Sequence, residues 1–144
     1  MDESSLLLRQ IPHSIEAEQS VLGAMLIDAR CIPDVVEALT GEDFYLKANR
    51  EIYETIYTMF NFSATIDPVT VLDQMKLTGV YDENTSRSYL LQLMEITPTA
   101  ANVKEYIRIV KDKALLRRIA ETAGELTTLV QEGGETAQAV LDLA

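Results

Sequence analysis

The side chains able to do chemistry are few in kind. The 144 residues hold one histidine, His13, and one cysteine, Cys31. A structural zinc site takes four Cys or His ligands, which two residues cannot supply. No disulfide can close within the chain. Cys31 precedes Ile32 and Pro33 and has no histidine near it, so it reads as a small buried side chain rather than a reactive thiol. A nucleophile–base pair would have to recruit His13, which follows Pro12 ahead of the first helix; its reading is a solvent-exposed or capping residue. The phosphate loop GxxxxGK followed by Ser or Thr is absent, and the six glycines are scattered apart from Gly133-Gly134.

Carboxylates are plentiful: 23 Asp and Glu against 12 Lys and Arg, a formal net charge of −11. Abundance does not make a site. Glu16 and Glu18, two apart, point to different sides of a helix, and Glu121 and Glu125 share a face that reads as solvated. No general acid/base pair is expected, and the chain itself reads as neither an enzyme nor a cofactor or metal binder. Nucleic-acid affinity rests on neutralising phosphates, so a chain this acidic is not expected to bind DNA tightly. Basic or hydrophobic protein partners suit it better. One basic cluster stands out, with Lys104, Arg108 and Lys111 on one helix face and Lys113, Arg117 and Arg118 following. Its plainer reading is a solvated face paired with Glu105 and Asp112. Its sharper readings are contact with an acidic partner or a neighbouring subunit, and, as a runner-up function, a nucleic-acid-binding face.

The elements that must position these residues are helical throughout, and the fold class is all-α. A chain of this length buries roughly 68–70% of its unfolded surface and needs no metal or disulfide to hold a core. Residues 1–98 read as a compact helical body with a flexible N-terminal arm at about 1–12. Ser14 caps a first helix with Ile15, Leu22, Met25 and Leu26 at helical spacing, and Asp28 to Cys31 breaks it. Pro33 opens a short helix carrying Val35, Val36 and Leu39, ended by Thr40-Gly41. From about Ala48 to Phe60, Ile52, Ile56, Met59 and Phe60 form a stripe that Tyr53 and Tyr57 widen; it reads as core rather than as an aromatic ligand box. Asp67-Pro68 is the cleanest helix start, with Val69, Leu72 and Met75 expected inward and Gly79 as the stop. A polar loop from Tyr81 to Ser88 leads to a short helix from Ser88 to Glu95, closed by Pro98.

Residues 99–144 read as a helical hairpin. Thr99 caps a helix that meets no strong stop before Glu132. Val103, Ile107, Val110 and Ala114 step by helical intervals, as do Leu116, Ile119, Ala123, Leu126 and Val130, but the register slips between the two runs. The slip suits a helix that packs on the body first and then presents a second face to another partner. Glu132-Gly133-Gly134 reads as a turn, and Ala139, Val140 and Leu143 restart the pattern in a second arm that reads as truncated at Ala144. No secretory signal or membrane span is legible, which with a single cysteine suggests the cytoplasm.

Five blocks in order resemble the N-terminal region of DnaB-type bacterial replicative helicases: the string Ile15 to Ala24; Asp43-Phe44-Tyr45 with Ile52-Tyr53; Asp67 to Thr70; Ser88-Tyr89-Leu90; and Pro98 to Val103 with Tyr106, Ile109-Val110 and Leu116-Arg117-Arg118. The likeness runs from about Ile11 to Glu132. It departs at Asn49, where the family often has His, which bears on any hydrogen bond that side chain makes. The resemblance implies a non-catalytic collar domain that supports a hexameric ring through paired hairpins and docks the C-terminal domain of a DnaG-type primase, with helicase loaders acting on the same assembly in the bacterial replisome. It also implies a parent that unwinds DNA with ATP and Mg in a RecA-like motor domain absent from this chain. Glu16, Tyr89 and Arg117 lie within matching blocks and are expected partner contacts; Ile119 and Leu126 are expected contacts from their seam positions alone. The alternatives are a stand-alone helical adaptor without a motor, the nucleic-acid-binding module, and a small acidic enzyme that no constellation supports.

Overall fold

The structure is a computed structural model and describes residues 11–144. The expected flexible arm falls largely on residues 1–10, outside the described residues. Seven α-helices and two 3-10 turns follow, with no strand among the described residues. Helix α1 (Ile15–Ile27) is the axis of the body. Ser14 Oγ accepts the Ala17 N–H at 3.2 Å, as the capping pattern predicts. Val21, Leu22, Ala24 and Met25 are all fully buried, because α1 is covered by other helices on several sides rather than on one stripe. Gly23 permits one of these contacts. A Cβ there would lie 2.2 Å from Thr97 Oγ1 and 2.4 Å from the Leu93 carbonyl oxygen.

Asp28 caps the 3-10 turn Ala29–Cys31, accepting the Arg30 N–H at 3.0 Å. Cys31 is buried as expected, and burial with the nearby Asp28 charge pushes its thiol up to about 11. Helix α2 (Ile32–Ala38) carries Pro33 in its first turn. A second 3-10 turn, Gly41–Asp43, is pinned by the Thr40 N–H donating to Asp43 Oδ2 at 2.8 Å. Helix α3 (Lys47–Asn61) buries Ile52, Tyr53, Ile56 and Met59 and leaves Tyr57 exposed. The Tyr53 hydroxyl donates to the Leu39 carbonyl at 2.5 Å, and burial raises it to about 12. This aromatic face is core.

Helix α4 (Pro68–Thr78) starts at the Asp67 cap, where Thr70 N–H and the Asp67 carboxylate, and Asp67 N–H and Thr70 Oγ1, pair at 2.9 Å each. It ends at Gly79 with φ +79°. Met75 faces inward and Leu72 is half-buried, but Val69 is 76% exposed and Val71 is fully buried. The inward stripe is Val71 and Met75, four apart; Val69, two residues before Val71, points to the opposite side of the helix, about 200° away, and faces solvent. Helix α5 (Ser86–Glu95) begins two residues before the expected Ser88. The Asp82 N–H donates to the buried Ser86 Oγ at 2.8 Å, and Asp82 Oδ1 accepts the Asn84 N–H at 2.8 Å, so the loop closes earlier than its polarity suggests.

Helix α6 (Val103–Glu132) runs for 30 residues, about 45 Å. Thr99 Oγ1 accepts the Ala101 N–H in a turn ahead of it, and Asn102, not Thr99, occupies the N-cap. Gly133, at φ +69°, ends it. Helix α7 (Ala137–Leu143), capped by Thr136, folds back against it.

Candidate protein interface

Three regions hold the residues singled out in the sequence. The first is the N-terminal part of α1. Glu16 is exposed there, while Glu18 is 1% exposed. Glu18 accepts the Tyr45 N–H at 2.8 Å, the Leu46 N–H at 3.4 Å and Asn49 Nδ2 at 2.9 Å. A buried carboxylate is tolerable because these donors sit at the start of α3, where free N–H groups and the helix dipole favour negative charge. The Tyr89 hydroxyl donates to Asn49 Oδ1 and accepts Gln19 Nε2 at 3.2 Å. Burial pushes the Tyr89 hydroxyl up from the usual phenol range. Asn49, the departure from the family pattern, therefore bridges Glu18 and Tyr89 and ties α1, α3 and α5 together. Glu18 escaped the sequence reading, yet a signal was there: it falls one and two turns before Val21, Leu22 and Met25 on the helix's buried side.

The second region is where α6 leaves the body. Val103, Ile107, Val110 and Ala114 are its buried residues, and none follows. Lys111 Nζ donates to the Ala38 carbonyl at 2.8 Å, closing the C-terminal end of α2. Arg117 donates to the Pro12 and Asp43 carbonyls, both at 2.8 Å, and its guanidinium lies 5.5 Å from the centroid of the Tyr45 ring. His13 stacks on that ring at 4.4 Å, with Nδ1 2.8 Å from the Ile11 carbonyl, so it is a packed residue rather than an exposed one. Arg118 pairs with Asp43, whose side chain is fully buried. Arg108 pairs with Glu105 as the plain reading holds. Three members of the basic cluster depart from that reading: Lys111, Arg117 and Arg118 fasten the long helix to the body.

The third region is α6 beyond Ala114. Leu115, Leu116, Ile119 and Val130 are exposed, at 51%, 41%, 56% and 66%, and Leu126 is half-buried. Ile119 and Leu126 line one shallow groove of about 370 Å³ with Leu115, Thr122 and Ala123. At about 100° per residue, Leu116, Ile119, Ala120, Ala123, Gly124 and Thr127 fall within roughly 140° of one side, with no charge among them. Of the five expected contacts, the structure thus brings Ile119, exposed, and Leu126, half-buried, together along one groove, which Arg118 and Ala144 also line. It leaves Glu16 exposed elsewhere, and it gives Tyr89 and Arg117 partners inside the domain. No group of His, Cys, Asp or Glu suited to a metal occurs among the described residues, and none of their helices is long and apolar enough to cross a membrane.

Known proteins share this architecture. A family model described as the DnaB-like helicase N terminal domain matches residues 10–112. The replicative DNA helicase DnaB of Leifsonia xyli is 38% identical over 135 residues, which cover 94% of this chain and 29% of that protein. The chain spans less than a third of the length of the curated relatives it matches. Among solved structures, the N-terminal domain of DnaB helicase from Mycobacterium tuberculosis superposes with a TM-score of 0.85 at 38% identity, covering 92% of this chain and 94% of that one. The N-terminal domain of DnaB helicase from Helicobacter pylori, described with its interactions with primase, has a TM-score of 0.69 over 91% of this chain and 99% of that one; at 19% identity it speaks to the fold alone. With a matched model over most of its length and this likeness in sequence and shape, the chain belongs to the family of DnaB-like helicase N-terminal domains.

Proposed function

We propose that this domain is the collar of a replicative helicase: it pairs with its own copies through the α6–α7 hairpin to support a hexameric ring, and it docks a primase. The observation that carries the reading is the uncovered half of α6, a contiguous uncharged face on a helix whose other half is fastened to the body. Burying such a face against a second helix gains roughly 25 cal/mol for each Å² of apolar surface removed from water. Ile119 and Leu126 then touch the partner directly, and Glu16 offers a second contact on the exposed start of α1. Tyr89 and Arg117 act by position: one holds α1, α3 and α5 in register, the other sets how α6 leaves the body. The motor, its ATP and Mg, and the helicase loader belong to the same proposal and to parts of the assembly outside this chain.

Direct DNA binding by the domain is disfavoured, because Lys111, Arg117 and Arg118 spend donors on the protein itself. The test is light scattering on a sizing column, with the chain alone and mixed with the C-terminal domain of a primase from the same source. Self-association and a co-eluting complex are expected. Ile119→Ala or Leu126→Ala should weaken association with the melting curve nearly unchanged. A monomer that ignores the primase at every concentration would leave the adaptor reading in its place.

A further inference from the structure

The elbow where α6 leaves the body encloses a cavity of about 640 Å³, lined by Pro12, Phe44, Tyr45, Arg50, Arg117 and Ala120. Arg50 is its unusual member. Its Nε is buried and finds no acceptor, and its one hydrogen bond is a long one, from Nη2 to the Phe44 carbonyl at 3.3 Å. Among the described residues it makes no ion pair. Arg117 and Arg118 are already engaged by carbonyls and Asp43. Nε is covered by the protein, so the donors the cavity offers are the terminal nitrogens: Nη1 makes no hydrogen bond and Nη2 only the long one, and an acceptor from outside would satisfy them.

The far end of the hairpin has the opposite property. Between Val103 and Arg118 the chain carries six cations and two carboxylates; from Ile119 to Ala144 it carries five carboxylates and no Lys or Arg. Helix α6 has no basic residue in its last turn, so its free carbonyls and the negative end of its dipole coincide with Glu132, and Glu135 follows just past the turn. These two ends complement each other only when two copies run antiparallel. The uncharged face extends from Leu116 to Gln131, and its midpoint lies between Ala123 and Gly124. A two-fold crossing there sets Glu132 of a second copy about 13 Å from the centre, level with Leu115, while Arg117 lies about 10 Å from it. Ala120 belongs both to this face and to the cavity wall.

We infer that the acidic hairpin tip of a second copy, Glu132 to Glu135, seats against the elbow cavity and supplies the acceptors that Arg50 lacks. The inference rests on the self-pairing proposed above. It adds a residue on α3, outside the hairpin, to the pairing surface, and it makes the contact reciprocal, so each pair holds two tips in two elbows. Glu42 and Glu121 also line the cavity and oppose the incoming carboxylates. Their presence fixes the sign of one variant: Glu121→Gln should tighten self-association.

Sedimentation equilibrium of the whole chain tests it, with a thermal melt of each variant. Reversing the tip (Glu132→Arg with Glu135→Arg) and reversing the elbow (Arg50→Glu) should each weaken self-association about tenfold. Combined, they should recover most of that loss. The tip variant lies on exposed residues, so it stays informative even where Arg50→Glu unfolds the body. A pair that forms normally with a reversed tip, or losses that add with no recovery, would overturn the tip contact and leave hairpin pairing standing. A wild-type chain that stays monomeric at every concentration would overturn both.

Discussion

Helix α6 has two halves with the same apolar spacing and opposite fates. Val103, Ile107, Val110 and Ala114 are buried, whereas Leu116, Ile119 and Val130 stay largely exposed. No proline or break separates the halves, and both runs step by three and four. What differs is what each half meets. The first lies on α1 and α2 and is fastened by Lys111, Arg117 and Arg118. Beyond the elbow at Arg117 to Glu121, the second has α7, seven residues long, packed against it. Apolar periodicity therefore marks a face that needs covering and is silent on whether the cover comes from the same chain. The charges are more informative, since the cations gather where the helix is tied down and are missing where it is bare.

The largest separation between the halves should appear in truncations of matched chemistry. Ile107→Ala removes a buried side chain and leaves a cavity, so it should cost about 3 kcal/mol in urea denaturation. Ile119→Ala, at 56% exposure, should cost under about 0.5 kcal/mol in the monomer. Equal losses would mean that the bare half is part of the cooperative core, and the distinction between the halves would fall.

The fastening should show a smaller effect. Arg118→Ala leaves the buried Asp43 carboxylate with the Thr40 N–H and without its cation. Breaking a buried ion pair costs several kcal/mol, but Arg118 is 49% exposed, so solvent screening brings the expected loss to about 1–2 kcal/mol. A double-mutant cycle with Asp43→Asn should recover coupling of that size, and a coupling near zero would make the pair incidental.

Much of this was legible in the sequence because local rules govern it. The Asp67-Pro68 start, the Gly79 and Gly133 stops and the Ser14 cap are set by backbone chemistry within four residues. The errors lie where distant segments decide. Val69 and Val71 are both apolar and near the start of α4; only the packing of α4 against α3 and α5 chooses Val71. Glu18 reads as a first-turn surface carboxylate until Tyr45, Leu46 and Asn49, about thirty residues on, bring donors to it. Lys111 and Arg117 read as part of a solvated face because the groups they bind are backbone carbonyls, which no side-chain pattern reports, and Arg118 because its carboxylate, Asp43, lies 75 residues back.

Gly124 gives the finest probe of the bare half, because its two effects have opposite signs. Glycine costs about 1 kcal/mol relative to alanine in a helix interior, and nothing lies within 4 Å of a Cβ built there. Within one copy Gly124→Ala should therefore strengthen the helix. The gain belongs to a segment with little tie to the core, so hydrogen exchange of the α6 amides around it should slow while the global melting transition stays put. Between copies the sign reverses. If two α6 helices cross at Ala123–Gly124, the added methyl holds them apart and weakens association by about 1 kcal/mol, roughly fivefold in the dissociation constant. Slower exchange with weaker pairing would place the crossing at Gly124. Slower exchange with unchanged pairing would move the crossing along the helix and displace the tip from the elbow. The distances from Glu132 and Arg117 to the centre match only when the crossing falls near this glycine.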